Sequence, residues 1–286
     1  MHDLTIIIVC DNSSSVLPDL LASVPKNVAV ILVNNSPNDR LDHLASDLVR
    51  VIILDKNVGF GVACNLGASN VSTQYILFLN PDTRLQPGAI NALMQGAENH
   101  PGASAFNPVL TDSDGRIRNK RRSVLLPRGH RLSAQAVQCE GVVPVLTGAA
   151  LMVRADAFFQ VGGFDSAIFL YHEDDDLSIR LGALGPLRIV EAAKVKHEGG
   201  HGSGDRIASA SIKAFHMGQS RVYAMRKHNR PMPFLRSLGR ATLQLLSPTT
   251  WLSRRKRTKQ VHFLRGILSA PQVSNPAPYR NLPHLD

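Results

Sequence analysis

Four short runs rich in β-branched and other apolar residues mark the first eighty positions: 4–9, 28–33, 49–54 and 75–79. Each holds five or six residues with little apolar–polar alternation, the pattern of a strand covered on both faces. The stretches between them, 16–23, 41–47 and 61–70, suit helices. A repeat of about twenty residues per strand–helix unit predicts a doubly wound, mostly parallel α/β sheet, because parallel strands need crossover connections. Every predicted strand runs into a polar cluster: Asp11-Asn12-Ser13-Ser14, Asn34-Asn35-Ser36, Asn57-Val58-Gly59 and Asn80-Pro81-Asp82. Ligands of open α/β sheets bind at such carboxyl ends, so these four clusters are expected to wall one site. Further on, 86–98 reads as a surface helix, 111–131 as polar and basic, and 142–154 as apolar with small residues. A turn through Gly162-Gly163 precedes an amphipathic helix over 173–184. A short strand at 193–196 leads to a Gly/His/Ser-rich loop over 199–204. The rest reads as basic helices broken by Pro231, Pro233 and Pro248, ending in a loosely held Pro/Asn-rich strip.

Charge divides the chain. The 286 residues are 44% hydrophobic and 19% charged, enough for a packed core and unlike a disordered chain. The net charge is +10, yet residues 206–280 hold 15 of the 32 Lys and Arg and no acid. The remainder is mildly acidic, 17 basic against 22 acidic residues. A body over 1–205 with a basic helical extension over 206–286 is therefore expected, and the extension calls for an anionic partner. Within it, Phe234, Leu235, Leu238, Leu245 and Leu246 fall at helical spacing, with Arg236 and Arg240 off the stripe and Arg254-Arg255-Lys256-Arg257 beyond Trp251. That pattern fits a helix lying on an anionic membrane surface, and it equally fits a helix packed on the body. Cys10, Cys64 and Cys139 are too few and scattered for a disulfide or zinc framework. With no export leader and no apolar run long enough to span a membrane, a cytoplasmic location is expected.

Three features carry candidate chemistry. Asp82 follows a buried strand directly, where a carboxylate can hold a divalent cation or cap the helix that follows. Glu173-Asp174-Asp175-Asp176 sets four carboxylates at a predicted helix start, where the dipole offsets part of their repulsion. One of them could remove a proton while others orient a hydroxyl; an acidic helix end without chemistry is the alternative. His197, at a predicted strand end, is a metal ligand or a solvated loop histidine. Gly59-Phe60-Gly61 lacks the Lys-Ser/Thr of a phosphate loop and reads as a tight strand-to-helix turn.

Taken together and in order, seven motifs resemble the family 2 glycosyltransferases of the GT-A fold, particularly the bacterial rhamnosyltransferase-like branch. They begin with Val9-Cys10-Asp11-Asn12, the segment from Val33 to Asp39, and Asn57-Val58-Gly59-Phe60 with Asn65 and Gly67. Leu79-Asn80-Pro81-Asp82 is similar to the metal-binding D-x-D motif. The segment 146–154, Gly162-Gly163-Phe164-Asp165, and Phe169 through Leu177 with Arg180 complete the set. Three positions depart from the family pattern: Asn34 and Asn80 stand where Asp is usual, and Pro37 where Ser is usual. The resemblance implies an inverting, metal-dependent transfer of a sugar from a nucleotide-diphospho-sugar, dTDP- or UDP-linked, to an acceptor hydroxyl in bacterial cell-surface polysaccharide or glycolipid synthesis. It implies Asp174 as general base with Glu173, Asp176 and Arg180 around it. Asn12, Asn34, Asn57, Gly59, Asn65 and Asp82 would line the donor, and Asp82 with His197 would hold Mg²⁺ or Mn²⁺. A glycan or polyprenyl-diphosphate-linked acceptor at the inner face of the plasma membrane is the implied partner. The alternative is a non-catalytic, transferase-like protein holding nucleic acid or another polyanion by its basic extension. The extension carries no nucleic-acid motif, which disfavours it.

Overall fold

The order of the apolar runs becomes the order of a sheet in the computed structural model, which describes residues 3–198 and 206–273. β1 (Leu4–Cys10), β2 (Ala29–Asn34), β3 (Val49–Ile53) and β4 (Tyr75–Leu79) form a parallel block in the order β3-β2-β1-β4. Their carboxyl ends share one edge. Beyond β4 the sheet becomes mixed. β8 (Ala150–Arg154) runs antiparallel to both β4 and β6 (Ala105–Thr111), β6 runs parallel to β9 (Leu187–His197), and β5 (Thr83–Leu85) and β7 (Gly141–Val143) pair antiparallel with β9. Helices cover both faces of β1, β2 and β4, which explains their unalternated runs, but the edge strand β3 is not covered as expected, with Arg50 and Ile53 exposed. Leu4, Ile6, Ile8 and Cys10 pack with α1 (Leu17–Ser23) and α3 (Ala89–Asn99). Ile7 and Val9 face the layer of α2 (Phe60–Ala68), α4 (Ala155–Gln160) and α5 (Glu173–Gly182).

Two expectations change. The helix predicted over 41–47 is a single 3₁₀ turn, Asp42–Leu44; Leu41 alone is buried there, and one apolar anchor supports no amphipathic face. β6 has no counterpart in the hydrophobic pattern, because Asn107 and Pro108 interrupt its run. The strand tolerates them because the register shifts at Pro108/Val109, and a bulge accommodates a proline without a ladder N–H. Asn107, buried, bonds the backbone of the neighbouring loop instead, donating to the carbonyls of Thr147 (3.0 Å) and Ala150 (2.6 Å) and accepting from the Thr147 N–H (2.8 Å).

The basic segment forms α6 (Arg206–Lys227), α7 (Pro233–Leu245), α8 (Pro248–Trp251) and α9 (Arg254–Leu268). Pro233 and Pro248 sit in the first turns of α7 and α8, where a missing N–H costs nothing. α6 and α9 cross closely enough that a methyl group on Gly218 or Gly266 would overlap the carbonyl oxygen of Phe263 or Phe215. The stripe predicted on α7 is divided by this packing. Phe234 and Ala241 join the small core of α6 and α9, whereas Leu235, Leu243 and Leu246 stay exposed. The Gly/His/Ser-rich loop over 199–204 and the Pro/Asn-rich strip after residue 273 lie outside the described residues.

Candidate active site

The strand-end loops are knitted into one rim. Asp39, which closes the second polar cluster, accepts from the N–H groups of Ser13 (2.7 Å) and Ser14 (3.3 Å) and so holds the loop after β1. Asn12 sits in that loop at φ 52° and accepts from the Ser36 hydroxyl (3.4 Å). Asn34 is 1% exposed, donating to the Asp39 carbonyl (2.8 Å) and accepting from Ser36 N–H (3.2 Å). Its amide therefore shapes the loop from within. Asn57 accepts from Asn35 (3.0 Å) and from the Gly59 N–H (2.9 Å), while Asn35 accepts from the Val58 N–H (2.9 Å). Gly59, at φ 90°, is where only glycine fits, because a Cβ there would lie 2.7 Å from the Phe169 carbonyl oxygen. Phe60 N–H bonds that same oxygen at 3.0 Å, fastening the rim to the segment ahead of α5. Asn65, also buried, donates to the Phe164 carbonyl (2.8 Å) and accepts from its N–H (2.9 Å), so it clamps α2 to the Gly162-Gly163 turn.

Asp82 does not cap α3, which begins at Ala89 after Gly88. It precedes β5, whose antiparallel register sets Thr83 opposite His197. The Asp82 Oδ1 and His197 Nε2 atoms consequently lie 3.1 Å apart. Two ligands about 2.1 Å from one octahedral cation, at right angles, would be about 3.0 Å apart. A carboxylate and an imidazole so spaced fit Mg²⁺ or Mn²⁺ with positions left for phosphate oxygens. Among the described residues no cluster of three or more His, Cys, Asp or Glu is placed to hold a metal, so any such ion would share its shell with a ligand.

The acidic cluster opens α5, and all four carboxylates are buried. Tyr171 and His172 precede it at φ 68° and 69°, two successive left-handed residues that cost on the order of 1 kcal/mol each and that cluster at functional sites. Each carboxylate has a different environment. Asp174 accepts from the Gly148 N–H (2.9 Å) and pairs with Lys120 (2.6 Å). Asp175 pairs with Lys120 (2.9 Å) and His172 (3.1 Å), which hold its carboxyl below the usual carboxylate range against the opposing effect of burial. Asp176, fully buried, meets Arg180 (2.7 Å), Lys227 (2.8 Å) and His228 (2.8 Å); burial opposes ionisation there too, and His228, Arg180 and Lys227 together hold its pKa low. Glu173 is compensated only in part, by a backbone hydrogen bond and the Lys120 charge. Its Oε2 is buried without a hydrogen-bond partner among the described residues, and burial, followed by the Asp174 charge, pushes its pKa up to about 8. Burial pushes the Lys120 ammonium down, but Asp174 and Asp175 more than offset it and hold it above the usual lysine range.

One short run joins the two halves. Gly148 N–H holds Asp174, and the neighbouring Ala149 carbonyl accepts from Asn80 N–H at 2.9 Å, two residues before Asp82. Asn107 fixes the same run from below. Lys120, Asn107, Lys227 and His228 had no assigned role in the sequence. Lys120 lies in a stretch notable only as basic, and the others reach the site across the fold.

Residues 5–161 match the family described as Glycosyl transferase family 2. Over 237 residues the chain is 31% identical to a protein of Mycobacterium tuberculosis named N-acetylglucosaminyl-diphospho-decaprenol L-rhamnosyltransferase, covering 70% of this chain and 76% of that one. Among solved structures, it is similar to GalNAc-T7 with UDP, GalNAc and Mn²⁺, at TM-score 0.59 and 15% identity, covering 93% of this chain and 56% of that one. It is likewise similar to residues 1–349 of TarS from S. aureus in complex with UDP, at TM-score 0.57 and 13% identity, covering 94% and 91%. These structural likenesses carry the fold, a GT-A-type mixed sheet with carboxyl-terminal helices.

Proposed function

We propose, from the premise that this chain belongs to glycosyl transferase family 2, that it moves a sugar with inversion from a dTDP- or UDP-linked donor to a hydroxyl of a diphosphate-linked acceptor. The chain is a glycosyltransferase that uses a nucleotide-sugar; the linkage, metal and acceptor are the further content of the proposal. The observation that supports it is the joining of Asp82–His197 and Asp174 through Asn80, Ala149 and Gly148. On this reading donor and base, tied to one backbone run, would face one centre from two sides. The rim around Asn12, Asn57 and Gly59 would receive the nucleotide, with Asn34 and Asn65 acting by shaping and clamping it. A divalent cation on Asp82 and His197 would supply charge to the leaving diphosphate. Asp174 would take the acceptor proton, its carboxylate aimed by Gly148 N–H and Lys120. Glu173, neutral at pH 7 by its raised pKa, could donate a hydrogen bond to the acceptor. Asp176 serves as a positioning residue that ties α5 to α6.

The division into a transferase domain over 1–205 and a helical extension over 206–286 is part of this reading, and the extension would form the acceptor side. The name of the mycobacterial relative supports an acceptor carried on a polyprenyl diphosphate. No helix among the described residues is long and apolar enough to cross a membrane, so contact would be peripheral, at the inner face of the plasma membrane. Leu246 and Leu252, 74% and 88% exposed, with the four cations of 254–257 beside them, support an anionic surface as that partner. The test is a panel of dTDP- and UDP-sugars incubated with purified protein and Mn²⁺. Release of the nucleoside diphosphate from one donor, abolished by EDTA, is expected; no release from any donor would count against the reading.

A further inference from the structure

A cavity of about 910 Å³ lies between the loop 120–131, the start of α5, and helices α6, α7 and α9. Its lining carries both signs of charge. Glu173, Asp174 and Asp175 are part of it, the two aspartates already engaged with Lys120. Arg122, Arg128 and Arg131 come from the loop, and Arg221, Arg236 and Arg240 from α6 and α7. None of these six forms an ion pair with a carboxylate among the described residues, and 206–273 contains no Asp or Glu. Among the described residues, Nε of Arg221 is buried without a hydrogen-bond partner, as is Nε of Arg230, which also lines the cavity. Burial, then the charges of Arg240 and Arg236, push the Arg221 pKa down to about 10. A half-buried guanidinium facing two others is unfavourable unless an anion completes it.

We propose that this arginine cluster binds the diphosphate group of the sugar acceptor, holding the acceptor with its reactive hydroxyl toward Asp174. The inference rests on the transferase reading for the acceptor's identity, but the anion site stands on the cavity alone. Guanidiniums converging from separate elements suit a compact group with several charged oxygens, because each presents a planar fork of donors. A polynucleotide would call for a long stripe of cations, whereas these arginines line one cavity. The neighbouring surface says what the diphosphate is attached to. On α7 and at its two ends, Met232, Leu235, Leu243 and Leu246 are exposed beside Arg236 and Arg240, giving an apolar ridge next to the arginines. A lipid chain leaving the diphosphate would pass along it.

The probe is inorganic pyrophosphate, titrated calorimetrically into the full chain in EDTA so that the Asp82–His197 pair recruits no cation. Wild type is expected to bind, and the double variant Arg236→Gln/Arg240→Gln to bind at least about tenfold more weakly, the loss expected from a charge-assisted hydrogen bond. Both side chains are exposed, so the variant should keep its fold, which its melting temperature would verify. Arg221→Gln should weaken binding further, and Arg221→Lys should restore part of it. Vesicles of phosphatidylglycerol, which carries a single phosphate, separate a headgroup patch from a diphosphate site. Failure of wild type to bind pyrophosphate while the arginine variants lose vesicle binding would overturn the proposal, as would equal pyrophosphate affinity in all variants. UDP and dTDP binding with Mn²⁺, measured in parallel, test the transferase reading separately. Absence of both alongside intact pyrophosphate binding would sink that reading and leave the anion site standing.

Discussion

Glu173 and Asp174 are chain neighbours with opposite surroundings, and that contrast makes the site testable residue by residue. Glu173 is buried beside the Asp174 charge, which a backbone hydrogen bond and Lys120 offset only in part, so its folded pKa is raised to about 8 from an ordinary value of 4.5. The folded protein therefore holds a proton between those values that the unfolded chain has released. Its contribution to stability is full below about pH 4.5 and is lost as pH rises through 8. Melting curves of wild type and Glu173→Gln at pH 5 and pH 8 should show wild type losing ground to the variant at the higher pH; a constant gap would mean that Glu173 ionises normally. Asp82→Ala should leave the fold intact and abolish Mn²⁺-dependent UDP binding, since His197 would remain as the single identified protein ligand. Unchanged affinity by calorimetry would remove Asp82 from the donor site. The individual acids were legible in the sequence because a strand end and a helix start announce them. Their division of labour was not, because it depends on Lys120, more than fifty residues upstream, and on Lys227 and His228, more than fifty downstream. Nothing in the local sequence marks those three as partners of a carboxylate. Asn34 and Asn65 show the same limit: their motifs mark where they sit, while the direction of each amide emerges only from the packed loops.

At the level of elements, the α6 contacts explain why a basic helix belongs against an acidic site. Ser220 donates to the Leu170 carbonyl (2.9 Å), Tyr223 to Asp165 (3.0 Å), and Lys227 bridges Asp165 (2.6 Å) and Asp176 (2.8 Å). Phe169 stacks on His216 with centroids 4.1 Å apart. α6 thus braces the strained Tyr171-His172 turn from outside. Lys227→Met should destabilise the protein by about 3 kcal/mol in urea unfolding, as expected when one partner of a buried ionic cluster is removed. A loss below about 0.5 kcal/mol, the range of ordinary surface substitutions, would show that the bridge carries little. β1, β2 and β4 were readable because residues buried on both faces leave unalternated apolar runs, whereas the edge strand β3, with Arg50 and Ile53 exposed, was readable from its β-branched residues. β6 was not, because a bulge at Pro108 and the inward amide of Asn107 hide a central strand behind residues that elsewhere mean a turn. On α7 the periodicity identified a helix but could not apportion its apolar residues between α6, α9 and solvent.

On the scale of the whole molecule, the asymmetry of charge becomes an arrangement in space. One cavity is lined both by the acids of α5 and by arginines of the loop, α6 and α7, and α7 also exposes Leu235 and Leu243 in a segment followed by the four cations of 254–257. The protein should sediment with anionic vesicles at low salt and be released at high salt, because each basic residue near such a surface contributes about 1 kcal/mol that salt screens. Leu243→Asp/Leu246→Asp, both on the exposed face, should weaken that binding without unfolding the chain; full retention would mean that the ridge faces something other than lipid. Sugar transfer itself is the centre of the account, and it needs the donor half and the acid half at once. The decisive measurement is the initial rate of nucleoside diphosphate release from the preferred donor, with Mn²⁺ and a diphosphate-linked acceptor, in wild type and Asp174→Asn, alongside UDP affinity in both. The account predicts a fall in rate of at least about 10²-fold, the usual share of general-base catalysis, with UDP affinity within about twofold of wild type on the same scale of binding free energy. A near-normal rate in Asp174→Asn would contradict it.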